Sequence, residues 1–446
     1  MLAKLIRKTF RGGIHPGDFK EMSKDKPIET APLPPEVILP VSQHIGAPAK
    51  PVVAKGDHVR KGQVIAEAGG FVSAPVHASI SGTVAAIEPR PHPLGQKVPA
   101  IIIASDGQDQ WLDGLPAEND AASLSPEAIR ETVKQAGIVG MGGAAFPTHV
   151  KLAPPPDKPV DTVIINAVEC EPFLTCDYRL MIERPRDIVA GLKLLMKVLN
   201  APRGCIAVEA NKLEACRVLA DAASGDPAIT MALLEVKYPQ GAELQLIDAV
   251  LGREVPSGGL PMDVGACVQN VGTAVAVFEA CRFGKPLIER VVTVTGAGAG
   301  RPANLLVRLG TPISSLLELC QASPEVNKLV LGGPMMGLAQ YSPEVSVTKG
   351  TSGILLMTGA RQFEHQPCIR CGRCVEVCPM RLIPSDLSIV CEAGRVDEMM
   401  DNSIMDCKEC GCCTYVCPSR RPIVHWVKLG KVQLARLKAK QAKKTA

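Results

Sequence analysis

Aromatic residues are scarce in this 446-residue sequence: Phe, Tyr and Trp together make up 3% of it, against 46% for all apolar residues. We therefore expect aliphatic, alanine-rich cores. No window of about 18 uncharged apolar residues occurs, so the sequence predicts no membrane-spanning helix. The opening residues MLAKLIRKTFRGG lack the apolar segment of a secretory signal. We expect a cytoplasmic protein that reaches a membrane only through a partner or a surface.

A strong net charge is also lacking. The formal charge is +4, too small to indicate a nucleic-acid partner. The length allows roughly two to four domains, each with its own core. Cysteine, by contrast, is plentiful, with 17 residues. Those outside two regular runs near the carboxyl terminus are irregularly spaced, and so many unpaired thiols suit a reducing compartment.

The two cysteine runs carry the clearest chemistry. Each has the spacing C-x-x-C-x-x-C-x-x-x-C-P, which is the bacterial-ferredoxin run. In such a pair, three thiolates of each run hold one [4Fe–4S] cluster and the fourth crosses to the other cluster. The predicted ligands are Cys368, Cys371, Cys374 and Cys417 for one cluster, and Cys407, Cys410, Cys413 and Cys378 for the other.

A zinc site or a disulfide framework is the alternative for these cysteines. Zinc sites use four ligands in two separated pairs, and neither alternative explains two identical registers that each end in proline. Cys412, next to Cys413, does not fit the register. We therefore expect it not to be a ligand.

The amino-terminal part consists of two regions that differ in composition. Residues 1–35 look irregular and are rich in proline, whereas residues 37–105 show short β-branched runs separated by glycines. The latter predict a small all-β module of the biotinyl/lipoyl barrel-sandwich type. Its turn at 69–73, Gly-Gly-Phe-Val-Ser, has no lysine to carry a prosthetic group, so we expect a structural or docking role.

Residues 120–290 alternate strands and helices, which predicts a mostly parallel sheet with helices on both faces. The pattern predicts strands at 162–166, 205–209 and 232–237, and helices that begin after Ser125, at Asp187 and after an Asn211 cap. Ligands lie at the carboxyl ends of the strands in such sheets. The candidate segments are therefore 166–171, 209–211 and 238–243.

The rest of the chain is β-rich from 291 to 360, and the cysteine module follows. Gly296, Gly298 and Gly300 match a dinucleotide fingerprint poorly, because Arg301-Pro302 stands where a helix should open. We expect a strand, a turn and a second strand there. From Lys428 to Lys444 the tail is basic without one acidic residue. It is either a solvated helix end or an anchor on an anionic membrane face or an acidic partner.

A glycine-rich stretch from Gly137 to Lys151 is the other strong signal, because dense glycines let a backbone approach a flat ring or a phosphate. With its Gly-Gly-Ala-Ala-Phe-Pro-Thr core, it resembles the flavin- and NADH-binding subunit of respiratory complex I. The resemblance continues in Asn-Ala-Val-Glu-Cys-Glu-Pro at 166–172, Tyr-Pro-Gln-Gly-Ala-Glu at 238–243 and Gln-Asn-Val-Gly-Thr at 269–273.

This resemblance implies an FMN site and a neighbouring NADH site. The implied cofactor-binding residues are Gly140, Gly142, Gly143, Phe146, Lys151, Asn166, Glu169, Glu171, Asp177, Tyr238, Gly241, Glu243, Gln269, Asn270 and Thr273. Phe146, Glu171 and Glu243 would face the nicotinamide nucleotide. Met141 and Val168 depart from the family pattern, which has an arginine and an acid there. We expect no catalytic acid–base residue.

The whole chain resembles the family of C subunits of Rnf electron-transport complexes, on the strength of Phe-Arg-Gly-Gly-Ile-His-Pro at 10–16, a stretch at 291–340 similar to SLBB domains, and the ferredoxin module. The resemblance implies a multidomain α/β fold. Its parts are a barrel-sandwich-like β module (1–115), a Rossmann-like FMN/NADH-binding α/β domain (116–290), an SLBB-type β-grasp (291–360), an α-helical double-cluster ferredoxin module (361–425) and a basic tail (426–446).

The same resemblance implies an NADH dehydrogenase module on the cytoplasmic face of the inner membrane, as a peripheral protein. Its partners would be the other Rnf subunits, namely the membrane subunits and the ferredoxin-like B subunit, with NADH as substrate and ferredoxin reached indirectly. Two alternatives stay open: a non-catalytic electron relay, and a flavoprotein similar to cobalamin reductase, which would lack residues 1–105.

Overall fold

The structure, a computed structural model, describes residues 7–445, with side chains up to residue 441. The amino-terminal β module is built from two antiparallel sheets, in the orders β2-β8-β7-β4 and β3-β5-β6. Val37, Leu39, Ile101 and Ile103 alternate inward along β2 and β8 and are fully buried. The strands of these sheets are β2 (Glu36–Pro40), β3 (Lys50–Pro51), β4 (His58–Val59), β5 (Val64–Glu67), β6 (Val76–His77), β7 (Gly82–Pro91) and β8 (Lys97–Ser105). The strand that precedes them, β1 (Ile28–Thr30), belongs to a different sheet.

The α/β domain has a four-stranded parallel sheet in the order β11-β10-β9-β12, as the alternating pattern predicts. Ser125 caps α1 by accepting a hydrogen bond from the Ala128 amide, and Pro126 occupies the first turn. The elements are α1 (Pro126–Gln135), α2 (Thr148–Lys151), β9 (Thr162–Ala167), α3 (Cys176–Glu183), α4 (Pro185–Leu199), β10 (Arg203–Glu209), α5 (Leu213–Ala222), β11 (Ile229–Leu234), α6 (Glu243–Leu251), β12 (Ala266–Asn270) and α7 (Val271–Phe283), with a short 3-10 helix at Pro261–Val264.

The predicted Asn211 cap is wrong. Helix α5 begins at Leu213, after Lys212, and has no side-chain cap. The Asn211 side chain instead accepts a hydrogen bond from Lys212 Nζ at 3.1 Å, and Lys212 also pairs with Glu209 at 2.9 Å. An unpaired buried ammonium group would cost more free energy than a missing helix cap, so the Asn211 side chain pairs with Lys212.

The β-grasp domain has a six-stranded mixed sheet in the order β1-β14-β13-β17-β15-β16. Strands β13 and β14 pair antiparallel across the turn that contains Gly296, which confirms the strand–turn–strand interpretation. A side chain at Gly296 (φ +106°) would lie 2.3 Å from the Leu356 carbonyl oxygen. The elements are β13 (Glu289–Thr295), β14 (Ala303–Arg308), α8 (Ile313–Leu319), β15 (Val326–Leu331), β16 (Leu338–Gln340) and β17 (Gly353–Thr358).

The carboxyl-terminal module is helical and has its own small core of Leu387, Val390, Met399, Val427 and Leu434. Its elements are α9 (Arg373–Glu376), α10 (Pro384–Glu392), α11 (Val396–Asp401), a 3-10 helix (Ile404–Asp406), α12 (Cys412–Tyr415) and α13 (Ile423–Thr445). The predicted limit between this module and the tail, at 425, falls inside α13. None of the helices within residues 7–445 is long and apolar enough to cross a bilayer.

An amino-terminal strap, residues 8–30, joins three of these parts. Lys8 forms a β-bridge with Leu234 at the edge of the parallel sheet, and Ile14 forms one with Tyr238. The Gly13 amide donates to the Val377 carbonyl in the cysteine module at 2.9 Å. The strap ends in β1, which pairs in parallel with β14. The prediction that residues 1–35 are irregular is therefore wrong for this strand.

Lys349 is a fully buried cation between the β module and the α/β domain. Its Nζ donates to the carbonyl oxygens of Pro75 and Gly137, each at 2.7 Å. Burial lowers the pKa of Lys349 to about 7, because neither carbonyl replaces full hydration of the charge.

We expect the stability of the protein to rise with pH above about 7 through Lys349. Between the folded pKa and the ordinary lysine value, the unfolded chain binds a proton that the folded chain does not, so the unfolding free energy gains up to about 1.4 kcal/mol per pH unit. The Lys349→Met variant should lack this gain. Thermal midpoints of the two proteins at a series of pH values measure it, with Lys328→Met, at an exposed position of β15, as control. Parallel pH profiles for wild type and Lys349→Met would contradict the expectation.

Candidate functional site

Two of the three segments predicted to follow the strands meet at the carboxyl edge of the parallel sheet. Asn166 and Asn270 are paired in register on β9 and β12. Asn166 Nδ2 donates to the Gly241 carbonyl at 2.8 Å, which joins the end of β9 to the loop after β11. Segment 209–211 ends β10 at the same edge, where the Glu209 carboxylate is buried and paired with Lys212.

The glycine loop covers the same edge. The Gly140 amide donates to the Phe146 carbonyl at 2.8 Å, which closes the loop on itself, and the Met141 amide donates to Thr273 Oγ1 at 2.9 Å, which ties it to α7. Gly142 and Gly143 are exposed. A Cβ added at Gly142 would lie 3.7 Å from Asn270 Cβ, so this part of the loop lies directly against the end of β12.

Lys151 and Glu243 form an ion pair at this edge, with Nζ 2.6 Å from Oε1. Lys151 Nζ also donates to the Val268 carbonyl at 3.2 Å. Burial alone would lower the pKa of Lys151, but the attractions to Glu243 and Cys267 together raise that pKa. The side chains are 27% and 37% exposed, so both remain accessible from solvent.

Glu169 and Asp177 are occupied by structural contacts. Glu169 Oε1 accepts from the Asp177 amide at 2.7 Å and Oε2 from the Tyr178 amide at 3.2 Å, so this carboxylate caps α3. Asp177 Oδ2 accepts from Asn270 Nδ2 at 2.6 Å. Burial raises the pKa of Glu169 to about 7, against the opposing effect of Lys20. Both residues position the predicted site.

Glu171 lies against the β-grasp domain. Its carboxylate accepts from the amides of Met335 and Met336, at 3.1 and 2.8 Å, and burial raises its pKa. A Cβ at Gly333 would lie 2.2 Å from Glu171 Oε2, so the two loops pack closely. Glu171 was expected to face the nicotinamide nucleotide, but its carboxylate is instead bound by the loop after β15.

Tyr238 connects the sheet edge to the second cysteine run. It is almost fully buried, and its hydroxyl donates to the Cys410 carbonyl at 2.8 Å. The Tyr238 carbonyl accepts from the Ile14 amide of the strap, and Cys412 Sγ lies 3.8 Å from the same oxygen. No sequence pattern indicates this junction, because its partners are far apart in the chain and lie in irregular segments.

Lys20 of the strap is a second residue that sequence reasoning missed. Its buried ammonium donates to the carbonyls of Glu169 and Glu171, at 3.0 and 2.9 Å, and to that of Leu174. The loop after β9 therefore wraps around one cation. A lone lysine in a proline-rich segment carries no signal for such a role.

The predicted cluster ligands line two separate cavities. The first cavity is lined by Cys368, Cys371, Cys374 and Cys417. The second cavity is lined by Cys378, Cys407, Cys410 and Cys413, and by Cys412 as well. This is the grouping expected for crossed ligation, with the fourth cysteine of each run beside the other run's first three. Cys371 is exposed, whereas Cys410 and Cys413 are buried.

The residues at both places fit the expected cofactors. The sheet edge offers an accessible ammonium group, two oriented asparagine amides and an exposed glycine loop, which are the donors that a phosphate and a flavin ring require. The two cavities each offer four thiols, the ligands of a [4Fe–4S] cluster.

Three family models match the chain. They are the RnfC barrel sandwich hybrid domain over residues 8–108, the Nuo51 FMN-binding domain over 133–279 and the 4Fe-4S dicluster domain over 367–420. The barrel-sandwich, flavin-domain and ferredoxin-module interpretations are thereby confirmed. FMN and iron–sulfur clusters are the cofactors that these domains hold.

The curated relatives extend the match to nearly the whole chain. The C subunit of a proton-translocating ferredoxin:NAD(+) oxidoreductase complex from Clostridium ljungdahlii is 48% identical over 94% of this chain and 93% of its own length. Its Na(+)-translocating counterpart from Acetobacterium woodii is 46% identical over 96% and 97%. The C subunit of the ion-translocating oxidoreductase complex of Rhodobacter capsulatus is 43% identical over 96% and 83%.

Proposed function

Since this chain belongs to the family of C subunits of ion-translocating (Rnf) oxidoreductase complexes, we propose that it is the NADH dehydrogenase module of such a complex. NADH is oxidised at the sheet edge, and electrons leave singly through the cysteine module. The observation that carries this proposal is the hydrogen bond from Tyr238 to the Cys410 carbonyl, which joins the flavin site directly to a cluster cavity. The match at residues 8–108 excludes the alternative that resembles cobalamin reductase, because that protein would lack this domain.

FMN supplies the conversion of a two-electron hydride donor into a source of single electrons. The chain's own contribution is binding and orientation. Asn166 and Asn270 are held in place by the Gly241 carbonyl and by Asp177, so their amides are oriented before a ligand arrives. The Met141 amide, anchored on Thr273, fixes the glycine loop above them.

Lys151 and Glu243 provide groups of opposite charge at the proposed site. The Lys151 ammonium group suits an anionic group of FMN. Glu243 uses Oε1 for Lys151, which leaves Oε2 to accept a hydrogen bond from a hydroxyl or amide group of NADH. Hydride transfer to FMN would need no acid or base side chain, and the proton that remains when the two electrons leave singly would be released to solvent.

Membership of the family supports other subunits of the complex as partners. We place the chain at the cytoplasmic face of the membrane, as a peripheral subunit that exchanges electrons with the membrane subunits and the ferredoxin-like B subunit, and through them with ferredoxin. Electron flow in either direction uses the same contacts, because each residue named above binds or orients the flavin or the nucleotide.

Anaerobic purification followed by NADH addition tests the proposal. NADH should bleach the absorbance of a bound flavin and produce the electron paramagnetic resonance (EPR) signals of reduced clusters. A protein without flavin, whose clusters respond to dithionite but not to NADH, would instead be a non-catalytic electron relay.

A further inference from the structure

The two cysteine runs form an internal repeat whose copies differ in what covers them. Helices α9 and α12 start one residue before the third cysteine of each run, and Gly372 and Gly411 precede them with the same left-handed backbone. Arg370 and Glu409 occupy equivalent positions, with φ +52° and +57°, and each amide donates to the first sulfur of its run at 3.4 Å. Surfaces at equivalent positions can therefore be compared directly.

In the second copy, this surface is covered by the rest of the chain. Cys412, the first residue of α12, is fully buried and lies against the Tyr238 carbonyl. Glu409 is paired with Lys431 of α13 at 2.7 Å. This covered surface is the one that faces Tyr238 and the edge of the parallel sheet.

In the first copy, the residues at the equivalent positions are exposed to solvent. Arg373 stands where the second copy has Cys412, and Arg370 stands where it has Glu409; both are exposed, and no ion pair within the described residues neutralises either. Ile369 lines the first cavity beside Arg370, and its side chain is 67% exposed. Arg420 stacks at 4.1 Å on Phe363, which is itself exposed.

We infer that this surface, Phe363, Ile369, Arg370, Arg373 and Arg420, is an exit face that docks a one-electron carrier protein whose redox centre is rimmed by carboxylates. An apolar centre surrounded by unpaired arginines beside an exposed ligand, Cys371, matches such a partner in shape and in charge. The inference rests on the proposed function for the source of electrons. The balance is one NADH and two oxidised carriers to NAD⁺, one H⁺ and two reduced carriers.

Charge reversal tests the exit face. The variant Arg370→Glu/Arg373→Glu should fold, because Glu409 already occupies the equivalent left-handed position and an acid is favourable in the first turn of a helix. The control Lys55→Glu/Lys97→Glu makes the same charge change on exposed residues of the β module. Iron content and dithionite-reduced EPR spectra establish that both variants hold their clusters.

The full-length protein is reduced with dithionite, so the test is independent of NADH and FMN, and is mixed rapidly with acidic flavodoxin or with basic cytochrome c. At low salt the exit-face variant should reduce flavodoxin at least about tenfold more slowly and cytochrome c faster, and both differences should vanish at high salt. The control should change neither rate by more than about twofold. Equal effects on the two acceptors, or none, would overturn the exit face. If the reversal variant loses a cluster, Arg370→Gln/Arg373→Gln should show the same pattern at reduced size, and its absence would count equally against it.

Discussion

Replacing Cys413 with serine should abolish reduction of the first cluster by NADH while leaving that cluster reducible by dithionite. Tyr238 and Gln245, near the flavin edge, hydrogen-bond Cys410 and Pro379, which both line the second cavity. Loss of the second cluster should therefore interrupt the path from the flavin edge to the first cavity. Replacing Cys371 should have the opposite result: the first cluster is lost, and NADH still reduces the second. EPR spectra after NADH and after dithionite measure both cases, with iron content counting the clusters.

Cys412→Ser is the matched control for Cys413→Ser, because the two residues are neighbours on α12 and both are buried. Cys412 Sγ faces the Tyr238 carbonyl and lies outside the register of the run. We expect this variant to keep both clusters and their reduction by NADH. If Cys412→Ser lost a cluster while Cys413→Ser kept both, the assignment of ligands would be wrong.

Replacing Glu243 with glutamine should raise the KM for NADH about tenfold while FMN stays bound. The size is that of one lost hydrogen bond to a charged group. FMN should be retained because Lys151 keeps its charge and its bond to the Val268 carbonyl. Steady-state kinetics give KM, and fluorescence of the flavin released by acid gives occupancy.

Asp248→Asn is the control for this variant, since it removes one charge from the same helix, α6, further from the sheet edge. It should leave the KM for NADH unchanged. The opposite pattern for Glu243→Gln, lost FMN and a normal KM in the remaining holoprotein, would show that Glu243 serves the flavin and not the nucleotide.

Elements with a regular apolar period could be predicted from the sequence. The runs at 162–166 and 205–209 are strands because their β-branched side chains are buried on both faces of a parallel sheet. The cap at Ser125 and the turn at Gly296 follow from local chemistry alone. The cysteine grouping follows from spacing, since three sulfurs three residues apart converge on one cavity.

Contacts between irregular segments could not be predicted. Lys20 is held by backbone carbonyls, which every residue has, so no side-chain pattern marks its partners. Glu171 was expected to face NADH because its motif resembles a nucleotide-binding segment, but the amides of Met335 and Met336 bind it. Those amides belong to a glycine-rich loop of another domain, which only the folded chain brings near.

The strap also determines when the protein can be completed. Residues 8–14 leave the ribosome well before their partner Val377 and before Cys410, the partner of Tyr238. Because domains fold as they emerge, the flavin domain can form long before the junction with the cysteine module can close. The Gly13–Val377 hydrogen bond, which ties the strap to the cysteine module, can therefore form only after that module has been synthesised.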